Sequence, residues 1–451
     1  MDKNPIYNAP NNNDKMGVNA DIPPTKEGKM SKITRVFIAL SLAVLFFFSG
    51  MATFWLSLDS EMRTLVKLKN AIDSKYYQKI TDEAFYGGIF DAVNEQLDPY
   101  SYYMTGEEYR TSTNDLNGRR IGIGVSFYTA DIQAGKMKLA RVCGNSPAEA
   151  AGLTAGSYIT GFGKTEQEIT QSEDYAAFSA FLSQFGEGEQ FFLQVQTAGE
   201  VKIVPITKED YVENYVFYRS SAASYGFTGE DATDLTERDD PLICLPDDTA
   251  YIRLAQFGGE AVESFGIAMS VFKQENKKNL VLDLRGNGGG YLSVMQGISA
   301  YFCKNAKENR PVAQIADFGE REEKYFANGN YYWDYFTEES RICILADSGS
   351  ASASEALIGV MVDYGAVSYT DICLSERNGV AKTYGKGIMQ SYFSLGMTGS
   401  MIKLTTAEIL WPVTRTSIHG RGVLPEDGTK TVKEGVTDEE ELSAAIGALF
   451  N

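Results

Sequence analysis

Histidine is almost absent from this chain, since His419 is the single histidine among 451 residues. A zinc site of the H-E-x-x-H type needs two histidines on one helix face and is therefore excluded. A catalytic triad with a histidine base would have to use His419. Any serine nucleophile without His419 would need a proton acceptor of another residue type, and lysine is one that proteins use.

Cysteine is scarce too. The chain has five cysteines, at scattered positions and without a C-x-x-C pair: Cys143, Cys244, Cys303, Cys343 and Cys373. An odd number with this spacing supports neither a disulfide framework nor a zinc site. Cys343 lies in an apolar run, so we expect a small buried hydrophobic side chain there. No metal and no cofactor is predicted.

Basic residues are the minority among the charges, with 41 Lys and Arg against 60 Asp and Glu and a formal net charge of −19. Phosphate binding needs clustered Lys and Arg, so nucleic acid is not an expected partner. The acidity is otherwise typical of a soluble, exposed domain. The length predicts two or three domains.

One long hydrophobic run is present, the 23 uncharged residues Val36–Leu58. It is long enough to cross a bilayer core of about 30 Å as a helix. A cleaved signal peptide is the alternative, but this run is longer and its preceding tail is extended. Basic residues precede the run and acidic residues follow it: Lys26, Lys29, Lys32 and Arg35, then Asp59 and Glu61. The positive-inside rule therefore predicts a single-pass protein of the cell membrane, with a cytoplasmic N-terminus and everything after residue 58 outside.

Composition and periodicity predict five segments. Residues 1–32 are rich in Asn, Pro, Asp and Lys, which predicts a disordered cytoplasmic tail, and residues 33–58 hold the transmembrane helix. Residues 59–117 have apolar residues at three- and four-residue steps, which predicts a helical segment. Residues 118–206 contain short strand-like pieces between Gly-, Pro- and Ala-rich turns. Residues 207–451 include strands that alternate with helices, which predicts a mixed α/β core with parallel strands.

Two segments at predicted strand-to-helix junctions carry candidate chemistry. The glycines of Leu284–Gly290 let backbone N–H groups point into a cavity, which suits an anion or an oxyanion, although a plain structural turn has the same pattern. Ser350–Glu355 places three serines at alternate positions. Such serines usually cap the helix. A serine there also meets backbone N–H groups and a dipole that favour developing negative charge.

Lys386 lies between two glycines in the segment Tyr384–Gln390, where a lysine is usually solvated. As the base for a serine it would have to be neutral, so burial would have to lower its pKa well below the ordinary lysine value. Gln390 follows four residues later. A helical turn would bring the two side chains together, whereas the strand-like sequence after Lys386 would separate them by about 13 Å.

These segments, in this order, resemble the C-terminal processing peptidases, also called tail-specific proteases. The resemblance covers nearly everything after the hydrophobic run, and the six-residue serine segment is its most specific part. It is carried by Leu97–Met104, Gly122–Val125, Ser146–Leu153, Tyr251–Leu254, Leu282–Gly290, Ser350–Glu355, Gly385–Gln390 and Lys403–Ala407.

The resemblance implies a crotonase-like α/β peptidase core, residues 207–451, with an inserted PDZ-like domain, residues 118–206. It also implies a serine endopeptidase with a Ser-Lys dyad. Ser352 would be the nucleophile, Lys386 the general base, and Gln390 the residue that orients the lysine. The backbone N–H groups of Ala353 and Gly289, with Gly288 as the alternative to Gly289, would form the oxyanion hole.

Three further assignments follow from the resemblance. Asp363 matches an aspartate implicated in some relatives, and His419 falls outside the catalytic set. The PDZ-like loop that would bind a substrate's C-terminal carboxylate is Gly122, Ile123, Gly124 and Val125. The implied partners are protein or peptide substrates with free C-termini and the cytoplasmic membrane. An activator, a homo-oligomer and the effect of the PDZ-like domain on the cleft are left open.

The sequence departs from the family pattern in three places. Ser352 and Lys386 are 34 positions apart, several more than the family leads us to expect, and the extra residues fall within 368–383. Ser157 stands where the family has aspartate after Gly156, and Gly288 stands where it has proline or a small residue. The longer spacing gives the alternative function its support, a catalytically inactive family member that acts as a peptide-binding scaffold. A serine protease that depends on His419 is a third, more distant reading.

Overall fold

A computed structural model gives the architecture of the chain. It describes residues 31–127, 132, 135–144, 146–154, 156–197, 199–221, 224–227, 236–237, 245–307, 310–396, 398–435 and 438–450. The chain divides into two compact units, residues 1–89 and residues 90–451. Apart from its last two residues, the predicted disordered tail lies outside the described residues, and so does Cys244.

The helices are numbered here in chain order. They are α1 (Lys32–Ser57), α2 (Ser60–Lys75), α3 (Asp82–Asn94), α4 (Gly106–Leu116), α5 (Pro147–Ala150), α6 (Tyr175–Leu182), α7 (Ala261–Gln274), α8 (Leu292–Ser299), α9 (Ala353–Asp363) and α10 (Asp438–Phe450). Short 3-10 turns occupy Glu166–Glu168, Ala300–Phe302, Tyr332–Asp334, Tyr369–Asp371 and Pro425–Asp427.

The strands are numbered in the same way. The first twelve are β1 (Tyr102–Met104), β2 (Arg119–Gly122), β3 (Val125–Phe127), β4 (Leu139–Val142), β5 (Tyr158–Gly163), β6 (Thr170–Gln171), β7 (Gln190–Thr197), β8 (Glu200–Thr207), β9 (Glu209–Val212), β10 (Val216–Arg219), β11 (Ser224–Phe227) and β12 (Thr236–Glu237). The others are β13 (Thr249–Leu254), β14 (Asn279–Asp283), β15 (Val312–Asp317), β16 (Glu322–Phe326), β17 (Ile342–Ala346), β18 (Ile372–Ser375), β19 (Ile388–Ser394), β20 (Met401–Leu410) and β21 (Lys430–Val432).

The first unit contains the predicted hydrophobic helix. Every residue of α1 from Lys32 to Ser57 is exposed or nearly so, and the helix is long and apolar enough to cross a membrane by length and composition. Asp59 ends this apolar stretch and caps α2, because its carboxylate accepts the N–H of Met62 at 2.7 Å. Lys69 on α2 is buried and pairs with Asp82 at the start of α3 at 2.7 Å. This ion pair links the two helices.

An eight-stranded sheet forms the centre of the second unit, in the order β12-β11-β10-β13-β14-β17-β18-β21. Strands β13, β14, β17, β18 and β21 pair in parallel, which confirms the prediction from the alternating strands and helices. Alternate side chains of the central strands face two hydrophobic cores, since Leu282 packs in one and Val281 in the other. Helix α10 covers the second core with Leu442 and Ile446. Cys343 is fully buried there, as predicted.

A second sheet, in the order β1-β20-β15-β16 with β19 also paired to β20, lies beside the lysine segment. The hairpin β19–β20 begins two residues after Lys386. Strand β1 pairs with the start of β20, so that Tyr102 lies opposite Lys403. The segment before β1 is thereby brought to the same edge as the lysine loop.

Residues 118–206 have a hydrophobic core of their own. Four strands, β5 to β8, form one sheet in the order β6-β5-β7-β8, and β3 pairs with β4. Phe178 of α6 and Phe191 of β7 are fully buried in this core. A two-stranded ribbon, β2 with β9, connects it to the rest of the chain. The mixed α/β architecture is thus confirmed, and the domain boundaries remain a prediction.

Candidate active site

The three serines of the Ser350–Glu355 segment have different surroundings. Ser350 Oγ donates to the carbonyl oxygen of Leu284 at 2.8 Å, and Ser354 Oγ donates to that of Asn287 at 2.8 Å. Both flanking serines therefore tie this segment to the glycine loop. Among the described residues, the hydroxyl of Ser352 makes no such bond to the glycine loop, and Ser352 is only partly buried. The geometry thus singles out the middle serine as the one that is available for chemistry.

Ser352 has an unusual backbone conformation at the N-terminus of α9. Its φ is 58° and its ψ is −113°, a region that a non-glycine residue enters at a cost of about 1–3 kcal/mol. Such strain persists only where neighbouring contacts fix the backbone, as the two flanking serines do here. It turns the Ser352 side chain out at the helix tip, where the backbone N–H groups and the helix dipole favour negative charge.

The glycine loop lies directly against Ser352. Gly289 has a φ of 98°, and a Cβ there would lie 2.8 Å from Ser352 Cβ and 3.0 Å from the nitrogen of Ala353. The loop therefore needs glycine at this position both for its backbone and for space. The N–H of Gly289 donates to Asn287 Oδ1 at 2.9 Å. To accept a hydrogen bond from the Gly289 N–H, an oxyanion would have to displace Asn287 Oδ1.

Glu355 joins the serine segment to the lysine segment, and the sequence reasoning missed it. Its carboxylate is fully buried. One oxygen accepts the Thr383 hydroxyl at 2.6 Å and the N–H of Gly385 at 2.8 Å. The other accepts the N–H of Lys386 at 2.9 Å and the N–H of Ser352 at 3.1 Å. Both catalytic candidates are thus held by one carboxylate oxygen.

The position of Glu355 in the sequence is the signal that would have found it. A glutamate three residues after a helix N-cap is the spacing at which its side chain reaches back to the N-cap N–H. Burial raises the pKa of Glu355, and the four donors oppose that effect. Each of these four hydrogen bonds favours the ionised form of the carboxyl group over the protonated form.

Lys386 has an environment that lowers its pKa. The main cause is burial of the ammonium, followed by the positive charge of Lys403, while the charges of Asp98 and Glu355 act in the opposite direction. Among the described residues, no hydrogen bond or ion pair reaches Lys386 Nζ. Its nearest identified partner is the ring of Tyr100, whose centroid lies 5.0 Å away.

Gln390 lies in strand β19. Of the two conformations that the sequence left open for this segment, the extended strand is therefore the one observed, and the helical turn is not. A β-bulge at Met389 and Gln390 changes the direction of its side chain. Its Nε2 is buried without a hydrogen-bond partner in the described part of the chain. In this conformation Gln390 therefore does not hold Lys386.

Asp363 lies at the opposite end of α9 from Ser352, about 15 Å along the helix. Its carboxylate accepts the N–H groups of Val413 and Thr414 at 2.8 and 2.9 Å. Any effect of Asp363 on Ser352 is therefore indirect, through this loop. His419 is exposed, and its backbone packs against Gly387, so it is not placed beside Ser352 by any contact described.

The segment between Ser352 and Lys386 contains a turn at residues 377–380 that is anchored to the rest of the core. Arg377 and Val380 are bridged across it. The guanidinium of Arg377 pairs with Asp347 at 3.0 Å and with Glu441 of α10 at 2.7 Å. Asp347 also accepts the N–H of Gly286 at 2.8 Å. Arg377 thus links this segment to Asp347, which also holds the base of the glycine loop.

The predicted carboxylate-binding loop is tightly packed at Gly124. The φ of Gly124 is 77°, and a Cβ there would lie 2.1 Å from Ser146 Cβ. The carbonyl oxygens of Ile123 and Gly124 accept the N–H groups of Ala148 and Cys143 at 2.8 and 2.7 Å. Within the described residues, the N–H groups of Ile123 and Gly124 have no protein acceptor, so they remain free for an anion.

Known proteins share much of this chain. Residues 248–427 match the sequence model of peptidase family S41. The carboxy-terminal processing protease CtpB of Bacillus subtilis (strain 168) is 26% identical over 369 residues, which cover 81% of this chain and 67% of that protein. A Staphylococcus saprophyticus protein named as a CtpA-like serine protease is 23% identical over 81% of this chain and 65% of its own length. The chain therefore spans about two thirds of the length of these relatives.

A solved structure supports the fold. A Bacteroides fragilis protein assigned to the S41 proteases has a TM-score of 0.50 with 16% identity, over 82% of this chain and 90% of that one. At this identity the similarity concerns the fold alone. The sequence matches support the resemblance to the C-terminal processing peptidases: residues 248–427 of this chain match the model of peptidase family S41.

Proposed function

We propose that this chain is a membrane-anchored serine endopeptidase that cleaves protein substrates near or from their C-terminal tails outside the cytoplasm. The observation that carries the proposal is the hydrogen bonding of Glu355. One of its oxygens accepts the N–H groups of both Ser352 and Lys386, within a peptidase family S41 domain. A serine on a strained helix tip and a lysine with a lowered pKa are thereby fixed in one local structure.

In the proposed reaction, Ser352 Oγ attacks the carbonyl carbon of the scissile bond and its proton passes to the neutral amine of Lys386. The N–H groups of Ala353 and Gly289 stabilise the resulting oxyanion. The C–N bond then breaks, and Lys386 gives its proton to the leaving amine. Water attacks the acyl ester as Lys386 accepts a proton from it. The C–O bond to Ser352 Oγ then breaks, Lys386 returns the proton to that oxygen, and the carboxylic acid product leaves. Gln390 orients Lys386 once the lysine side chain has moved toward Ser352.

Residues 118–206 would supply substrate recognition as a PDZ-like domain. The free N–H groups of Ile123 and Gly124 suit the carboxylate of a substrate's C-terminus. Among the described residues β3 pairs with β4 alone, so its other edge suits an added strand. The separate hydrophobic core of this segment supports an independent module. The crotonase-like assignment of residues 207–451 belongs to the same proposal.

Membrane anchoring rests on α1 and its flanking charges. The helix is apolar and exposed along its length, basic residues precede it and acidic residues follow it. This arrangement favours a cytoplasmic N-terminus and an extracytoplasmic catalytic part. A signal sequence passes the same test of length and composition, and the mass of the mature protein would distinguish the two.

A second candidate is a catalytically inactive, peptide-binding scaffold. The observation in its favour is that no hydrogen bond joins Lys386 Nζ to Ser352 Oγ, while Gly289 N–H is already occupied by Asn287. A fluorophosphonate probe with mass spectrometry tests the two candidates on the full chain in detergent. Labelling of Ser352 that is lost in Lys386→Ala supports the peptidase. Tight binding of a C-terminal peptide without labelling supports the scaffold and contradicts the proposal.

A further inference from the structure

The segment Asp98–Ser101 belongs to a family motif but has no part in the proposed reaction. It is tied to strand β20. The Asp98 carboxylate accepts the N–H of Tyr100 at 2.8 Å, the Ser101 hydroxyl at 2.6 Å and the Thr405 hydroxyl at 3.1 Å. Ser101 Oγ in turn accepts the N–H of Thr405 at 2.8 Å. The backbone on both sides of Tyr100 is therefore fixed.

Tyr100 uses this fixed backbone to contact the lysine segment at two points. The centre of its ring lies 5.0 Å from Lys386 Nζ. Its hydroxyl donates to the hydroxyl of Tyr384, two residues before the lysine, at 3.4 Å. The ring of Tyr100 thus packs against the end of the Lys386 side chain.

Other charged groups act on the ammonium of Lys386 without an ion pair to it. Asp98 on the same segment, Glu355 on α9 and Lys403 on β20 act on it through space. In the part of the chain that the structure describes, none of the carboxylates lies within ion-pair distance of Nζ. The face of an aromatic ring attracts an ammonium ion but not a neutral amine. Tyr100 therefore distinguishes the charged form of the lysine from the neutral form through a contact of its ring.

We infer that Tyr100 is a positioning residue for Lys386, whose ring holds the ammonium in the substrate-free protein and sets the pH at which the free amine appears. The inference rests on the proposed function only for the role of that amine. The contact itself is a property of the folded chain, so it is tested without any substrate.

The experiment is pH-dependent amine labelling of the full chain in detergent, read by mass spectrometry at Lys386 relative to the exposed Lys202. Three proteins are compared: the wild type, Tyr100→Phe, and a variant with trifluorophenylalanine at position 100. Phenylalanine keeps the ring face. The fluorinated ring keeps nearly the same shape but loses the negative charge density of its face, so a folding defect is not expected to separate the two variants.

We expect the wild type and Tyr100→Phe to share one labelling midpoint. The fluorinated variant should have a lower midpoint, with about a twofold to tenfold larger neutral fraction of Lys386 at a pH below it. Equal midpoints in Tyr100→Phe and the fluorinated variant would overturn the inference. If the midpoint falls but no variant cleaves a peptide, the role of Tyr100 stands and the proposed peptidase fails. If the protein cleaves peptides and the midpoints agree, only the role of Tyr100 fails.

Discussion

Glu355 is the residue on which the geometry of the candidate site depends most. Its carboxylate is fully buried and accepts hydrogen bonds from Ser352, Thr383, Gly385 and Lys386. A carboxylate has two acceptor oxygens, and each one serves two donors here. No other side chain of similar size offers four acceptor sites and no donor.

Glu355→Gln should therefore disturb both segments at once. The amide replaces one acceptor oxygen with an NH₂ group that faces two donors, which leaves buried polar groups unpaired. We expect the free energy of unfolding to fall by about 1–3 kcal/mol and kcat to fall by about a hundredfold through misplacement of the reacting groups. Denaturant unfolding and peptide cleavage measure the two effects. Glu376→Gln is the control, and equal kcat in both variants would refute the positioning role.

Lys403 offers a test of the pKa of Lys386. Its positive charge lowers that pKa, so Lys403→Met should raise it. The active form is the neutral amine, and activity is lost as the pH falls through the pKa of Lys386. The acid limb of kcat/KM should consequently move to higher pH in Lys403→Met and stay near that of the wild type in Lys403→Arg, which keeps the charge. An acid limb that does not move in Lys403→Met would exclude this electrostatic effect.

At the scale of elements, the proposed oxyanion site depends on the contact between the glycine loop and α9. Gly289→Ala would place a Cβ 2.8 Å from Ser352 Cβ in a backbone with a φ of 98°. We expect kcat to fall about 10²- to 10³-fold, the effect of losing one oxyanion donor. Gly288→Ala is the matched comparison, because nothing lies within 4 Å of a Cβ there, and its loss should be no more than severalfold. Similar losses in both variants would contradict this account.

The sequence predicted these elements well where hydrophobic periodicity is strong. The apolar pattern predicts a strand at Ile342–Ala346 and a helix at Ala353–Tyr364. Strand β17 occupies the predicted residues, and helix α9 ends at Asp363, one residue earlier. A helix is also predicted at 291–302, and it instead ends in a 3-10 turn from residue 300. The bulge at Gln390 has no sequence pattern, because it results from the pairing of β19 with β20. Periodicity reports which face is buried, and it carries no information on such local register shifts.

The candidate site was less predictable than the fold. Ser352, Gly289 and Lys386 came from motifs, and the structure brings their segments together. The contacts of Glu355 with Thr383 and of Tyr100 with Lys386 join residues far apart in the chain. A single sequence contains no signal for such pairs. Asp363 shows the reverse case, a motif match that the helix places away from Ser352.

At the scale of the whole molecule, the proposed function requires residues 118–206 to bind the C-terminus of a substrate. In Gly124→Ala the new Cβ would lie 2.1 Å from Ser146 Cβ, which should close the loop. We expect the wild type to cleave a tail with a free C-terminus in preference to an amidated one, and Gly124→Ala to lose about tenfold or more of that preference. Gly188→Ala has a similar φ of 81° in open space and should keep it. An unchanged preference in Gly124→Ala would exclude this loop as the carboxylate site.

The central claim is that Ser352 and Lys386 together hydrolyse peptide bonds. The most direct measurement is cleavage of an unstructured polypeptide by the full chain in detergent, with Ser352→Ala, Lys386→Ala and His419→Ala prepared in parallel. The account predicts cleavage by the wild type and by His419→Ala, and none above background by the other two variants. Cleavage that persists in Ser352→Ala or in Lys386→Ala would contradict it.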